Sequence, residues 1–173
     1  MKSKDIAIVG ILLAVGAILR YFLAMLHTPL TPNMIIAFYC LAIILIAPTI
    51  FEAIGIGLVA GILSMLISGS IFPPANLISE PLGALVCFAL YSLIKNRSKL
   101  APTATTFLVT LVSGFSFAAI AIIAVAPTIL SKYTTLGGFI IVFVPIVVVT
   151  AVFNAIIVQI LYIPANRVLS RGP

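Results

Sequence analysis

Three carboxylates and one imidazole are all this chain offers for acid–base or metal chemistry: Asp5, Glu52, Glu80 and His27. General acid–base or metal-assisted catalysis needs such groups gathered at one place. Here Asp5 and Glu52 open the first and third of the chain's apolar stretches, whereas His27 and Glu80 belong to the opposite ends, so no pair assembles. The spacing Thr49-Ile-Phe-Glu52 before an apolar run is that of a capping box, which assigns Glu52 to the backbone. His27 is read as an interfacial residue. Cys40 and Cys87 fall in mid-stretch and are read as small packing residues. A Gly-rich nucleotide loop is also missing. The expectation is a protein that is not an enzyme, with no cofactor, no metal and no ATPase of its own, leaving binding, permeation or scaffolding.

The richest polar stretch outside the basic loop is Phe72-Pro-Pro-Ala-Asn-Leu-Ile-Ser-Glu-Pro81. Pro81 lacks an N–H and fits best at the first position of a helix, which would make Glu80 its cap and leave the preceding residues non-helical. Two readings stay open. Asn76, Ser79 and Glu80 point into a substrate pocket lined by irregular backbone, or Asn76 and Glu80 cap a helix near its positive end. Arg20 lies about 24 Å along the first helix at 1.5 Å per residue, so it either snorkels to the outer headgroups or turns inward toward Glu80 or an anionic group. Phe139, Phe143, Val147, Thr150 and Asn154 share one helical face in the last apolar stretch, which Pro145 interrupts. Phe143 is read as a ligand wall and Asn154 as interhelical glue. The hydroxyl stripe Thr106, Thr110 and Ser113 is read as packing.

The elements that must hold these residues are transmembrane helices. Apolar residues make up 64% of 173 and charged ones only 7%, too few for the charged shell of a soluble domain. Turn-forming residues divide the chain into six stretches near the roughly 20 residues needed to cross a bilayer. These are 5–27, 33–47, 50–69, 78–95, 103–126 and 138–163. With the N-terminus inside, Lys2, Lys4, Lys95, Arg97, Lys99, Arg167 and Arg171 all face the cytoplasm, and only Lys132 falls in an outer loop. The fold class is therefore all-α: a polytopic, six-transmembrane-helix bundle in the cell membrane, both termini cytoplasmic, residues 1–173 forming one transmembrane domain. The net charge of +6 reports topology, and no basic patch interleaved with aromatics suggests nucleic-acid binding. The first stretch lacks a small-x-small cleavage site and is read as a span, not a signal peptide. Small residues recur on two helices: Ala53, Gly57 and Gly61 on the third, Gly10, Ala14 and Ala17 on the first. Such faces serve internal packing or, where left over, docking of another membrane subunit.

The small-residue first helix, the Thr-Pro-Asn entry to the second span, the segment Pro73-Pro-Ala-Asn-Leu-Ile-Ser-Glu-Pro81 and the closing Phe153-Asn-Ala-Ile-Ile-Val-Gln-Ile-Leu-Tyr-Ile-Pro164 resemble the substrate-binding S components of energy-coupling factor transporters. Within that group the chain is most similar to the tryptophan-transporter-like branch. The resemblance implies a subunit that captures a small planar nutrient outside and works with a transmembrane coupling protein and two cytoplasmic ATPases. It matches the family's docking contact to Gly10 and Ala14, continued by Ala17, and its loop and last-helix asparagines to Asn76 and Asn154. One departure concerns the substrate: members of the branch tend to carry an acid followed by Lys before the fourth helix, where this chain has Ser79 and Glu80. The expected ligand is tryptophan or a related aromatic amino acid at the outer end of helices 4 to 6, under the first and third outer loops. Glu80 would meet an ammonium, Asn76 would supply hydrogen bonds, Phe139 and Phe143 would stack, and Arg20 would face a carboxylate. The alternatives are an S component for a pyridoxine- or thiamine-like vitamin and a scaffold subunit without ligand. A pore is disfavoured because no polar stripe runs from face to face.

Overall fold

The computed structural model describes residues 1–25 and 31–169; His27 and Arg171 lie outside the described residues. The helices are α1 (Ser3–Ala24), α2 (Ile35–Ile46), α3 (Ile50–Ile67), α4 (Asn76–Ile94), α5 (Ala101–Tyr133) and α6 (Leu136–Leu169), with a 3₁₀ turn, Pro73–Ala75, leading into α4. All but α2 are long and apolar enough to cross a membrane. The chain is thus a multi-pass membrane protein, with six α-helices among the described residues as expected.

The short helix organises the rest. At 12 residues α2 covers only about 18 Å, less than the bilayer core. It is apolar all round, as a helix enclosed by others must be, and residues 35–44 are all buried. It touches each of the other five helices. Its cytoplasmic end stops at Ala47, which adopts the left-handed conformation (φ 49°), and Pro48 cannot continue the helix. Because the central helix is short and its neighbours are long, room remains beyond its outer end, and the cavity described below occupies that room.

Small residues let α3 and α4 approach closely. A methyl group on Gly57 would lie 2.6 Å from the Cα of Pro81, and one on Gly61 would lie 2.7 Å from the Asn76 carbonyl oxygen. Ala53 is fully buried on the same face. The α3 stripe is therefore an internal seam. On α1 the arrangement is opposite. Gly10 and Ala14 are exposed and Ala17 is half-buried, while the glycine that packs inward is Gly16, against Phe38 and the Ile35 backbone.

At the cytoplasmic end, the capping box at α3 forms as expected: the Thr49 N–H donates to Glu52 at 2.7 Å, and the Glu52 N–H donates to the Thr49 hydroxyl at 3.4 Å. The amino group of Met1 also pairs with Glu52. That contact puts the N-terminus and the start of α3 at one end of the bundle, in agreement with the charge-derived orientation. Cys40 and Cys87 are buried free thiols.

The start of α4 corrects the expectation for Pro81. The helix begins at Asn76, so Pro81 sits inside it and Glu80 is not its cap. Pro73 and Pro74 start the 3₁₀ turn, and the Asn76 side-chain amide donates to the Pro73 carbonyl at 2.7 Å. With the entry settled one turn earlier, Pro81 removes only the hydrogen bond to the Leu77 carbonyl. The irregular backbone lies at 68–72 instead. Helix α5 likewise runs through Pro127 to Tyr133, bending where Val125 leaves helical geometry (φ −136°, ψ 34°). Only Thr134 and Thr135 separate it from α6, a shorter outer connection than the expected 127–138.

Candidate substrate-binding site

A cavity opens at the outer end of α2, walled by α1, α4, α5, α6 and the segments 31–33 and Ser70. It joins five of the chain's polar positions from far apart in sequence: Arg20, Asn33, Asn76, Glu80 and Ser113. Its volume is about 60 Å³, room for a few waters.

Glu80 is the hub. It is reached because Asn76, Ser79, Glu80, Gly83 and Ala84 fall on one face of α4, and that whole face is buried. One carboxylate oxygen, Oε1, accepts from Asn33 Nδ2 at 2.7 Å, from the Ser113 hydroxyl at 3.1 Å and from the Ser79 hydroxyl at 3.4 Å. The other, Oε2, is buried with no hydrogen-bond partner among the described residues. The Tyr39 hydroxyl, seated against Gly83, faces the same carboxylate at the edge of hydrogen-bonding range.

Arg20 turns inward, not toward headgroups. It is buried, and its guanidinium donates through Nη1 to the Ser64 hydroxyl at 3.4 Å and through Nη2 to Asn76 Oδ1 at 3.5 Å. Both contacts are at the long limit of a hydrogen bond. Its Nε has no partner among the described residues. A buried guanidinium and a buried carboxylate thus border one small space, each with unused hydrogen-bonding capacity. Leaving such groups unmet is costly in a bilayer interior.

Asn33 ties the site together. Besides Glu80, its side-chain amide reaches Ser64 at 3.4 Å, its Oδ1 accepts from the Ile35 N–H at 3.2 Å, and its carbonyl accepts from Asn154 Nδ2 at 3.0 Å. Asn154 also donates to Thr110 at 3.2 Å, which is the interhelical role read for it from the sequence. Opposite the polar wall, Phe117 and Phe143 stand nearly parallel, 5° apart in plane with centroids 6.4 Å apart. Phe139 is fully buried behind Phe143, 5.3 Å away, and does not reach the cavity.

A family model described as "Tryptophan transporter TrpP" matches residues 2–170. The chain belongs to the tryptophan transporter TrpP family. It is 30% identical over 176 residues to a protein of Bacillus subtilis (strain 168) named "Probable tryptophan transport protein", an alignment covering 99% of this chain and 96% of that one. No solved structure matches. The resemblance to the tryptophan branch is thereby borne out, and the chain is a membrane transporter.

Among the residues singled out from the sequence, the fold brings Arg20, Asn76, Glu80 and Phe143 to the cavity wall. Ser79 is fully buried beside Glu80 and supports it from behind. Gly10, Ala14 and Ala17 lie on α1, away from the cavity. The third outer connection contributes none of the described wall, whereas Thr31 and Ser70 from the first and second do. Four wall residues that bear on the site were not among the expected ones. Asn33 was read only as part of a family motif, Ser113 and Thr110 as packing, and Phe117 not at all. A signal existed for Ser113: it lies seven residues from Thr106 and three from Thr110, on one inward face with Phe117 four residues further on.

Proposed function

We propose that this transporter is the substrate-binding S component of an energy-coupling factor importer and that its outer cavity takes tryptophan or a related aromatic amino acid. The observation that carries the reading is the pair of buried opposite charges on one cavity, each with an unsatisfied polar atom. A zwitterionic amino acid supplies both missing partners: its ammonium three donors for Glu80 Oε2, its carboxylate an acceptor for Arg20. The site's own charges sum to zero, as do the ligand's. Asn76 and Asn33 fix the two charged walls, and Phe143 with Phe117 offers an apolar aromatic surface to the side chain. Arg20 supplies the cation that Ser79-Glu80 lacks relative to the branch pattern.

The cavity volume falls short of a whole indole amino acid, so binding requires its walls to part. The outer segments meet through weak contacts suited to this: Thr31 N–H to Ser70 at 3.4 Å and Gly69 N–H to the Thr31 hydroxyl at 3.2 Å. The exposed face of α1, Gly10 and Ala14 with Ala17 at its edge, is the docking surface for the coupling protein, which with two cytoplasmic ATPases would provide the energy this chain has no means of generating. Equilibrium binding of tryptophan, tryptamine and indole-3-propionate to the purified protein tests the reading. Tryptophan should bind best, with tryptamine losing the Arg20 contact and the propionate losing the Glu80 contact. Binding of a thiamine- or pyridoxine-like compound with no tryptophan affinity would refute the substrate.

A further inference from the structure

Four cations converge at the opposite end of the bundle, far from the cavity. Lys95, Arg97 and Lys99 follow α4, and Arg167, some seventy residues later, lies in the last turn of α6. All four are exposed and line a single groove of about 810 Å³. Its floor holds the hydroxyl pair Tyr91 and Tyr162, 3.4 Å apart, and Asn166 stands on its rim. Among the described residues lining it, none is acidic. A topology signal requires cations on the cytoplasmic side, but does not require them to share one concave surface.

We propose that this groove binds the headgroup of an anionic phospholipid of the inner leaflet. The groove lies at the ends of α4 and α6 and the start of α5, the helix ends that the charge order assigns to the cytoplasmic face. Tyrosines are favoured there because their rings are apolar and their hydroxyls wet. Lys and Arg from two helix ends meet a phosphate as charge-assisted donors, and neutral amides such as Asn166 meet headgroup hydroxyls. Exposed Ile163 on the same groove gives the first acyl carbons an apolar track. A free phosphate offers the same charge but not the apolar part.

Native mass spectrometry of the purified full chain with equimolar dioleoylphosphatidylglycerol and dioleoylphosphatidylcholine tests this. The phosphatidylglycerol adduct should dominate and survive millimolar inorganic phosphate. Arg97→Gln combined with Lys99→Gln keeps Lys95 and Arg167 for topology and should lower that adduct about tenfold, since each surface cation contributes a several-fold gain in affinity for anionic lipid. Lys2→Gln with Lys4→Gln removes equal charge from the same membrane face outside the groove and should change it little. Equal adducts of both lipids, displacement by phosphate, or equal losses in the two double variants would overturn the proposal. So would a chain without lipid preference whose Arg97/Lys99 variant fails only in associating with partner proteins, which would give the groove to an acidic protein surface.

Discussion

Glu52 and Glu80 stand on neighbouring, tightly packed helices, yet their surroundings are opposite. Glu52, in the first turn of α3 at the cytoplasmic end, has both oxygens met: Oε2 by the Thr49 N–H and hydroxyl of its own turn, Oε1 by the Met1 amine. Glu80, one turn further into α4, gathers three donors on one oxygen and leaves the other without any. The same side chain closes a helix end in one place and holds an opening in the other. What separates them is depth. A carboxylate near water can rely on its own helix turn and on solvent, whereas one enclosed in the bundle must find partners from other elements, and an unfilled valence there marks a place for something else.

The sharpest way to break that contrast is to remove each charge. Glu80→Gln should weaken tryptophan binding by roughly 100-fold, as expected for truncating a buried charge that faces an opposite charge on the ligand. Glu52→Gln should leave binding unchanged and lower the unfolding temperature in detergent only slightly, since Gln keeps the capping-box spacing and loses only the charge facing Met1. Equal losses of binding in the two variants would end the distinction.

The seam that delivers Glu80 can be tested separately. Gly57→Ala places a methyl group against the Pro81 backbone and should cost about 1–3 kcal/mol by overpacking, with reduced binding as α4 shifts. Gly55→Ala, where nothing lies within 4 Å, should stabilise the helix by up to about 1 kcal/mol and leave binding intact. Ser113→Ala removes one donor from Glu80 and should weaken binding by a few-fold, about 1 kcal/mol. The smallest effect is expected at the α2–α3 turn, away from the cavity. Ala47→Gly relieves a left-handed alanine on the exposed cytoplasmic turn, raising stability by about 1 kcal/mol or less with no change in affinity.

Much of this contrast was legible before any coordinates. The Glu52 cap followed from the Thr49-x-x-Glu52 spacing, because Thr49 and Glu52 lie within reach of each other along one turn. Glu80 was identified as the residue to watch, but its placement was misread because Pro81 was given the position proline prefers in isolation. The turn at Pro73–Ala75 and the Gly57 gap make an interior proline tolerable, and neither could be weighed locally. Asn33 and Ser113 went unrecognised as partners of Glu80 because they stand 47 and 33 residues away, one on a different helix and one at the entry to the central helix. The small residues of α1 and α3 look alike as patterns, yet one set is a seam and the other an open face.

Composition and charge order by themselves determined the number of helices, their membrane setting and which end faces the cytoplasm, since these depend on transfer of single segments from water to lipid. Tertiary packing alone decided that Arg20 turns inward, that α2 is the enclosed short rod, and that two opposite charges share one unfilled space. Those outcomes rest on which helix faces meet and how closely, and close approach is a property of pairs of surfaces that no single stretch of chain contains.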